Sequence, residues 1–239
     1  FIRIPYNDAN ALETVLLQYG TSVAGFLLEP IQGEAGVYVP DEGYLKKCYD
    51  ICKKHNVLFM ADEVQTGIGR TGKMLACDHE NVRPDILILG KALSGGAFPV
   101  SAVLADDDIM LNIKPGEHGS TFGGNPIAAK VSIAALKVVK DENLMEKADY
   151  LGRIFREEMY GIKSDMVEKV RGKGLLNAVI IRPKNGKQAW DVCMAMKDLG
   201  VLAKPTHTHI IRFAPPLVIT EDQLREAIAI IKTAIHSFD

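Results

Sequence analysis

Three charged residues fall where apolar runs give out: Glu29 after residues 23–28, Asp62 after residues 57–61 and Lys91 after residues 85–89. In open α/β sheets ligands bind outside the carboxyl ends of the strands, so one pocket could collect these two acids and an amine. Such a set offers charge pairing, proton transfer and a nucleophilic amine. Taken singly, each is an ordinary solvated residue at the end of a strand. The combination is what points to chemistry.

Other spacings compete with that set. Gly67-Ile68-Gly69-Arg70-Thr71-Gly72 fits G-x-G-x-x-G, and with Lys73 it fits the start of a phosphate loop. Its context does not fit. Met74 stands where a Ser or Thr must reach the metal, and His79, Asn81 and Pro84 come too soon for a long helix to open at Gly72. The glycines are expected to make a loop. Cys48, Cys52 and His55 share a helical face and could be read as metal ligands, but Leu45 lies on that face too and no fourth ligand is near. Half-buried, reduced thiols are the expectation. His207 and His209 are read as loop or substrate-channel residues, and no metal is expected.

The elements that must position these residues follow from periodicity. Residues 23–28, 57–61, 85–89 and 101–105 are short apolar runs bounded by turn signals, which suits strands covered on both faces. Residues 41–55 read as a helix, and Asp106-Asp107-Asp108 opens a short one. A helix pair is expected over 126–160, broken near Asp141-Glu142-Asn143. Strands at 167–171, 175–181, 201–204 and 210–213 and helices at 188–199 and 221–238 follow. The alternation predicts an α/β domain with a mostly parallel sheet over 1–140 and a small α+β domain over 141–239.

Bulk composition agrees with an enzyme of ordinary surface. The chain has 239 residues, 47% of them hydrophobic and 24% charged, with net charge −2. No basic face points to nucleic acid, and no apolar run approaches a membrane span. The four cysteines are too scattered for a disulfide framework, so a reduced, intracellular compartment is expected.

The longer motifs are specific. Glu29-Pro-Ile-Gln-Gly-Glu34-Ala-Gly, Ala61-Asp62-Glu-Val-Gln65-Thr-Gly, Gly90-Lys91-Ala-Leu-Ser-Gly-Gly and His118-Gly-Ser120-Thr121-Phe-Gly-Gly-Asn125-Pro126 occur in that order. Arg171-Gly-Lys-Gly174 and Ile211-Arg212-Phe-Ala-Pro-Pro216 follow. Together they resemble the class III aminotransferases, fold-type I enzymes dependent on pyridoxal 5′-phosphate. Several segments, Leu202-Ala-Lys-Pro-Thr-His207 among them, are closest to members that act on L-ornithine.

The resemblance implies a role for each matching residue. Lys91 would be the Schiff-base lysine and proton shuttle, and Asp62 would pair with the pyridinium nitrogen. Gln65 would bond the cofactor's phenolic oxygen. Ser120 and Thr121 would reach the cofactor phosphate of a partner subunit, making a homodimer part of the site. Arg212 would grip the α-carboxylate of glutamate and 2-oxoglutarate, and Glu34 would mask Arg212 while L-ornithine reacts through its δ-amine. The resemblance covers only the later part of such proteins. Upstream segments bearing a stacking aromatic, a phosphate loop, a substrate tyrosine and a second arginine are therefore expected outside these residues, and activity is expected of the complete protein. Two alternatives stay open: an acetylornithine or other ω-amino acid aminotransferase, and an inactive relic or binding module on the same scaffold.

Overall fold

Each apolar run of the first half becomes a strand. β1 (Gly25–Leu28), β2 (Leu58–Asp62) and β3 (Ile86–Leu89) run parallel, and β4 (Ala102–Ala105) joins the edge antiparallel, in the order β1-β2-β3-β4. The structure, a computed structural model, describes residues 1–239. They form two compact units, Phe1–Pro30, Pro40–Ile68 and Leu75–Glu142 in the first, and Ile31–Val39, Gly69–Met74 and Asn143–Asp239 in the second.

In the first unit, α1 (Ala9–Tyr19) and α2 (Tyr44–Lys54) pack on one face of the sheet. Leu12, Leu16, Leu45, Cys48 and Cys52 share a core there with Phe59 and Ala61. The helix expected from residue 41 starts later, because Gly43 takes a left-handed conformation (φ 83°) just before it. On the other face Leu27, Met60 and Ile86 form a cross-strand row. Leu27 stays exposed, so the expected cover on both faces is not supplied along β1. Beyond β4 come α3 (Asp107–Met110) and α4 (Pro126–Asp141). Asn125 starts α4 by accepting from the N–H of Ile127 (2.9 Å) and Ala128 (3.3 Å), with Pro126 at the first helical position.

The second unit contains α5 (Leu144–Tyr160), β5 (Val167–Lys173), β6 (Leu176–Ile181), α6 (Ala189–Asp198), β7 (Lys204–Thr206), β8 (Ile210–Phe213) and α7 (Glu221–His236). Its sheet is antiparallel in the order β5-β6-β8-β7. The strand expected at 201–204 lies instead at Lys204–Thr206, where pairing with β8 defines it. The three helices cover one face, burying Leu151, Phe155, Val179, Ile211 and Ile231 together. Ile31 and Val37 cover the other, on Ala178, Ile180 and Ile210. With both faces covered, β6 is buried along its whole length. A reciprocal cap fixes the start of α7: Thr220 Oγ accepts from Gln223 N (3.2 Å), and Gln223 Oε1 accepts from Thr220 N (2.9 Å). No helix is long and apolar enough to cross a membrane.

Candidate active site

Parallel pairing decides where the first set of residues meets. Asp62 ends β2 in register with Ile88, and Lys91 stands just past the end of β3, so both belong to the carboxyl edge of one sheet. Adjacent strands lie about 4.8 Å apart, and the turns beyond them must touch. They do. Glu63 N donates to Ile88 O (3.0 Å), and a β-carbon on Gly90 would sit 3.3 Å from a Val64 methyl. Asp62 is half-buried, its Oδ1 accepting from Val64 N (3.1 Å), which holds the carboxylate at the strand end. Gln65 follows, half-buried, in the same turn.

Lys91 opens a 3-10 turn, Lys91–Ser94, with φ 41°. A non-glycine residue there carries strain on the order of 1–3 kcal/mol, which surrounding structure must over-determine. α4 helps to do so: a β-carbon on Gly95 would meet the Ala135 methyl at 3.3 Å. Lys91 lines a cleft of about 700 Å³ with Ser94, Gly96, Phe98, Ser120 and Gly123. The structure thus brings Ser120 to the same cleft as Lys91, its Oγ accepting from Gly123 N (3.0 Å). Asp62, Gln65 and Thr121 are not among the lining residues; Thr121 is exposed in the loop that carries Ser120. Glu29 is half-buried after β1, where its carbonyl accepts from the Tyr6 hydroxyl (3.2 Å).

Sequence reasoning passed over Glu63. It is 1% exposed, and its carboxylate accepts from Thr66 Oγ, Ala76 N (3.0 Å) and Cys77 N (2.8 Å). Consecutive strand residues point to opposite faces, so the adjacent acids take different work. Glu63 anchors the turn inward while Asp62 stays at the site edge. The strand's own alternation, with Phe59 and Ala61 buried, was the available signal.

In the second unit Arg212 lies on β8 in register with Ala178, and so on the sheet face covered by Ile31–Val39. That register brings it to Glu34, with Arg212 Nη1 donating to Glu34 Oε1 at 2.8 Å. The arginine side chain is 24% exposed and the glutamate 68%. The glutamate can therefore leave at little cost to packing, while the arginine is held by its strand.

The glycine motif has other employment. Arg70 Nη1 donates to Leu175 O (3.1 Å) and Pro215 O (2.6 Å), and Leu175 N donates to Arg70 O (3.0 Å). A β-carbon on Gly174 would sit 2.4 Å from the Thr71 backbone. Burial pushes the Arg70 guanidinium down to about 10. The motif's amides are committed too, with Gly67 N donating to Glu63 O (2.8 Å), Gly69 N to Met74 O (3.3 Å) and Gly72 N to Gly69 O (3.1 Å), which is not the open cradle a phosphate needs. Cys48 and Cys52 are fully buried, and burial raises their thiols to about 11 and about 12. His207 and His209 are exposed around the β7–β8 turn.

Residues 2–235 match the family Aminotransferase class-III, and the chain belongs to that family. Among its relatives, the chain is 60% identical over 238 residues to the mitochondrial ornithine aminotransferase of Rattus norvegicus, covering 100% of this chain and 54% of that protein. It is 60% identical over 233 residues to an ornithine aminotransferase of Schizosaccharomyces pombe, covering 97% and 53%. The chain thus spans about half the length of these curated relatives. Among solved structures, an acetylornithine aminotransferase from Elizabethkingia anophelis superposes with TM-score 0.96 at 63% identity, over 100% of this chain and 60% of that one. An ornithine aminotransferase from Plasmodium yoelii superposes with TM-score 0.95 at 52% identity, over 100% and 63%.

Proposed function

We propose that this chain carries the cofactor-holding and carboxylate-recognising residues of a pyridoxal 5′-phosphate-dependent ornithine aminotransferase. The δ-amino group of L-ornithine goes to 2-oxoglutarate, giving glutamate 5-semialdehyde and glutamate. The observation that carries this reading is the Arg212–Glu34 pair at 2.8 Å. Such a cycle takes amino groups from different ends of its two donors. Glutamate reacts beside its α-carboxylate, which a guanidinium grips in bidentate fashion. L-Ornithine must instead present its far amine, so the same guanidinium has to be occupied. A carboxylate paired with Arg212 and mostly exposed meets both demands.

The first unit supports the cofactor assignment. Its cleft of about 700 Å³ beside Lys91 is of the size that takes small molecules, and Asp62 and Gln65, which do not line it, stand on the neighbouring turn at the same sheet edge. Lys91 would hold the cofactor at its carbonyl carbon, and its amine would move the proton at the substrate's reacting carbon. Asp62 would keep a proton on the ring nitrogen, and Gln65 would bond the phenolic oxygen. Ser120 and Thr121 would hold the phosphate of a partner copy in a homodimer. When bound, pyridoxal phosphate supplies an electron sink for negative charge at that carbon. Four free, buried thiols fit a reducing compartment, cytoplasm or mitochondrial matrix.

A second reading has its own observation: the solved relative at 63% identity is named for acetylornithine. The complete protein, supplied with pyridoxal phosphate and 2-oxoglutarate, should transaminate L-ornithine faster than N-acetylornithine. Turnover of the acetylated donor alone would leave the second reading standing. Turnover of neither, with no ω-amino donor accepted, would leave the inactive scaffold.

A further inference from the structure

The segment that carries Glu34 is pinned by side chains from the outer strands of the second sheet. Cross-strand register places Arg171 of β5, Ala178 of β6, Arg212 of β8 and Lys204 of β7 in one row. Thr206 of β7 pairs with Ile210 and shares their face. That face is covered by Ile31–Val39, which folds back on itself through Gln32 N to Tyr38 O (3.1 Å) and Tyr38 N to Gln32 O (2.9 Å). On one side Arg171 Nε donates to Gly36 O (2.9 Å), and its guanidinium lies 3.7 Å from the centre of the Tyr38 ring. On the other, Thr206 Oγ donates to the backbone carbonyl of Glu34 itself (2.7 Å).

We infer that Thr206 is a positioning residue for the Glu34 gate: its hydroxyl holds the Glu34 backbone where the carboxylate reaches Arg212, and so sets the balance between the masked and unmasked arginine. The inference rests on the proposed two-donor cycle. The Glu34 side chain is mostly exposed, so packing alone does not hold it. The gate's resting position is then set through the main chain, and Thr206 makes the side-chain contact to the glutamate's own peptide. The hydroxyl touches neither Arg212 nor the Glu34 carboxylate, so its removal loosens the gate without changing the gating charges.

The test compares the complete protein with Thr206→Val, which keeps the shape and loses the donor, and Thr206→Ser, which keeps the donor. Two readouts are taken. The first is kcat/KM for L-ornithine relative to L-glutamate in the separate half-reactions. Loss of one hydrogen bond should lower that ratio roughly three- to tenfold in Thr206→Val, with the serine variant near the parent. The second is hydrogen exchange at the Gly36, Val37 and Tyr38 amides, which should quicken by a similar factor in the valine variant only. Unchanged exchange in Thr206→Val overturns the clamp whatever the substrate. Unchanged selectivity with quickened exchange overturns its role in gating. Equal effects in both variants overturn the role of the hydroxyl. If the parent moves no δ-amino group, the two-donor reading fails, while exchange still decides the clamp.

Discussion

Gly152 of α5 lies so close to the Gly174 carbonyl that a β-carbon on it would sit 1.9 Å from the oxygen. The contact brings helix and β5–β6 turn nearly into backbone contact. Arg156, one turn further along α5, completes the seam by donating Nη1 to Gly174 O (3.0 Å) and Asn177 Oδ1 (2.9 Å). Gly152→Ala in the complete protein should therefore destabilise, although alanine is the better helix former. Helix propensity favours alanine by about 1 kcal/mol, and a clash with backbone costs more, about 1–3 kcal/mol or above. Chemical denaturation should show a lowered midpoint; an equal or higher midpoint would mean that α5 can shift away freely.

Glu63 predicts a polar counterpart. Its oxygens accept three hydrogen bonds inside the first unit, from Thr66 Oγ, Ala76 N and Cys77 N. Glu63→Gln turns one acceptor into a donor facing donors, which should cost about 1–3 kcal/mol at unchanged shape. Protease sensitivity in the segment after β2 should rise with it. A glutamine variant as stable as the parent would show that the turn tolerates a reversed dipole.

Lys91 should prove irreplaceable in turnover and dispensable for folding. It is exposed, so Lys91→Ala removes little packing, and alanine, which keeps the β-carbon, leaves the left-handed strain as it was. Borohydride reduction of the complete protein with pyridoxal phosphate should leave a modified peptide containing residue 91. The alanine variant should leave none, and should lose at least about 10²-fold in kcat through the missing proton transfer alone. A modified lysine elsewhere would undo the site assignment.

Removing the Glu34 charge should shift the balance between the two donors. On the proposed cycle, Glu34→Gln would weaken the hold on Arg212 and leave it more open to α-carboxylates. KM for 2-oxoglutarate should fall or hold while kcat/KM for L-ornithine drops, on the order of tenfold for one charge-assisted bond. An equal loss for both substrates would point to damage to the Ile31–Val39 segment rather than to gating.

The first sheet was largely legible in the sequence. Asp62 and Lys91 stood out because the parallel strands before them read as unbroken apolar runs, and the ends of such runs are easy to see. Distant pairing was not legible. Ile31–Val39 belongs with β6 and β8 through Val37, Ala178 and Ile210, and nothing local in those residues announces it. β7 was misplaced for the same reason: its hydrogen bonds to β8, and not its own apolarity, make it a strand. α1 escaped notice because only Ala9, Leu12 and Leu16 of it are buried, a sparse stripe among exposed apolar residues such as Leu17. The Arg212–Glu34 contact lay between. Resemblance named the partners, and only the register of β8 shows why they share a face.

Cys193 gives the chain a stability limit on the alkaline side. It is 4% exposed in the core under α6, and burial alone raises its thiol from 9.0 to about 11. The folded state thus disfavours the thiolate, whereas the unfolded chain ionises at its ordinary value. The contribution is fully present below about pH 9 and is lost as pH rises through about 11. Between those values, urea midpoints of the complete protein should fall with rising pH. Tyrosines and lysines titrate nearby, so the comparison that isolates the thiol is Cys193→Ala. That variant should start less stable at pH 7.5, through its small cavity, and then lose less between pH 9 and 11 than the parent. Parallel pH slopes for the two proteins would show that this thiol meets solvent before it ionises, and that the core around α6 opens locally at high pH.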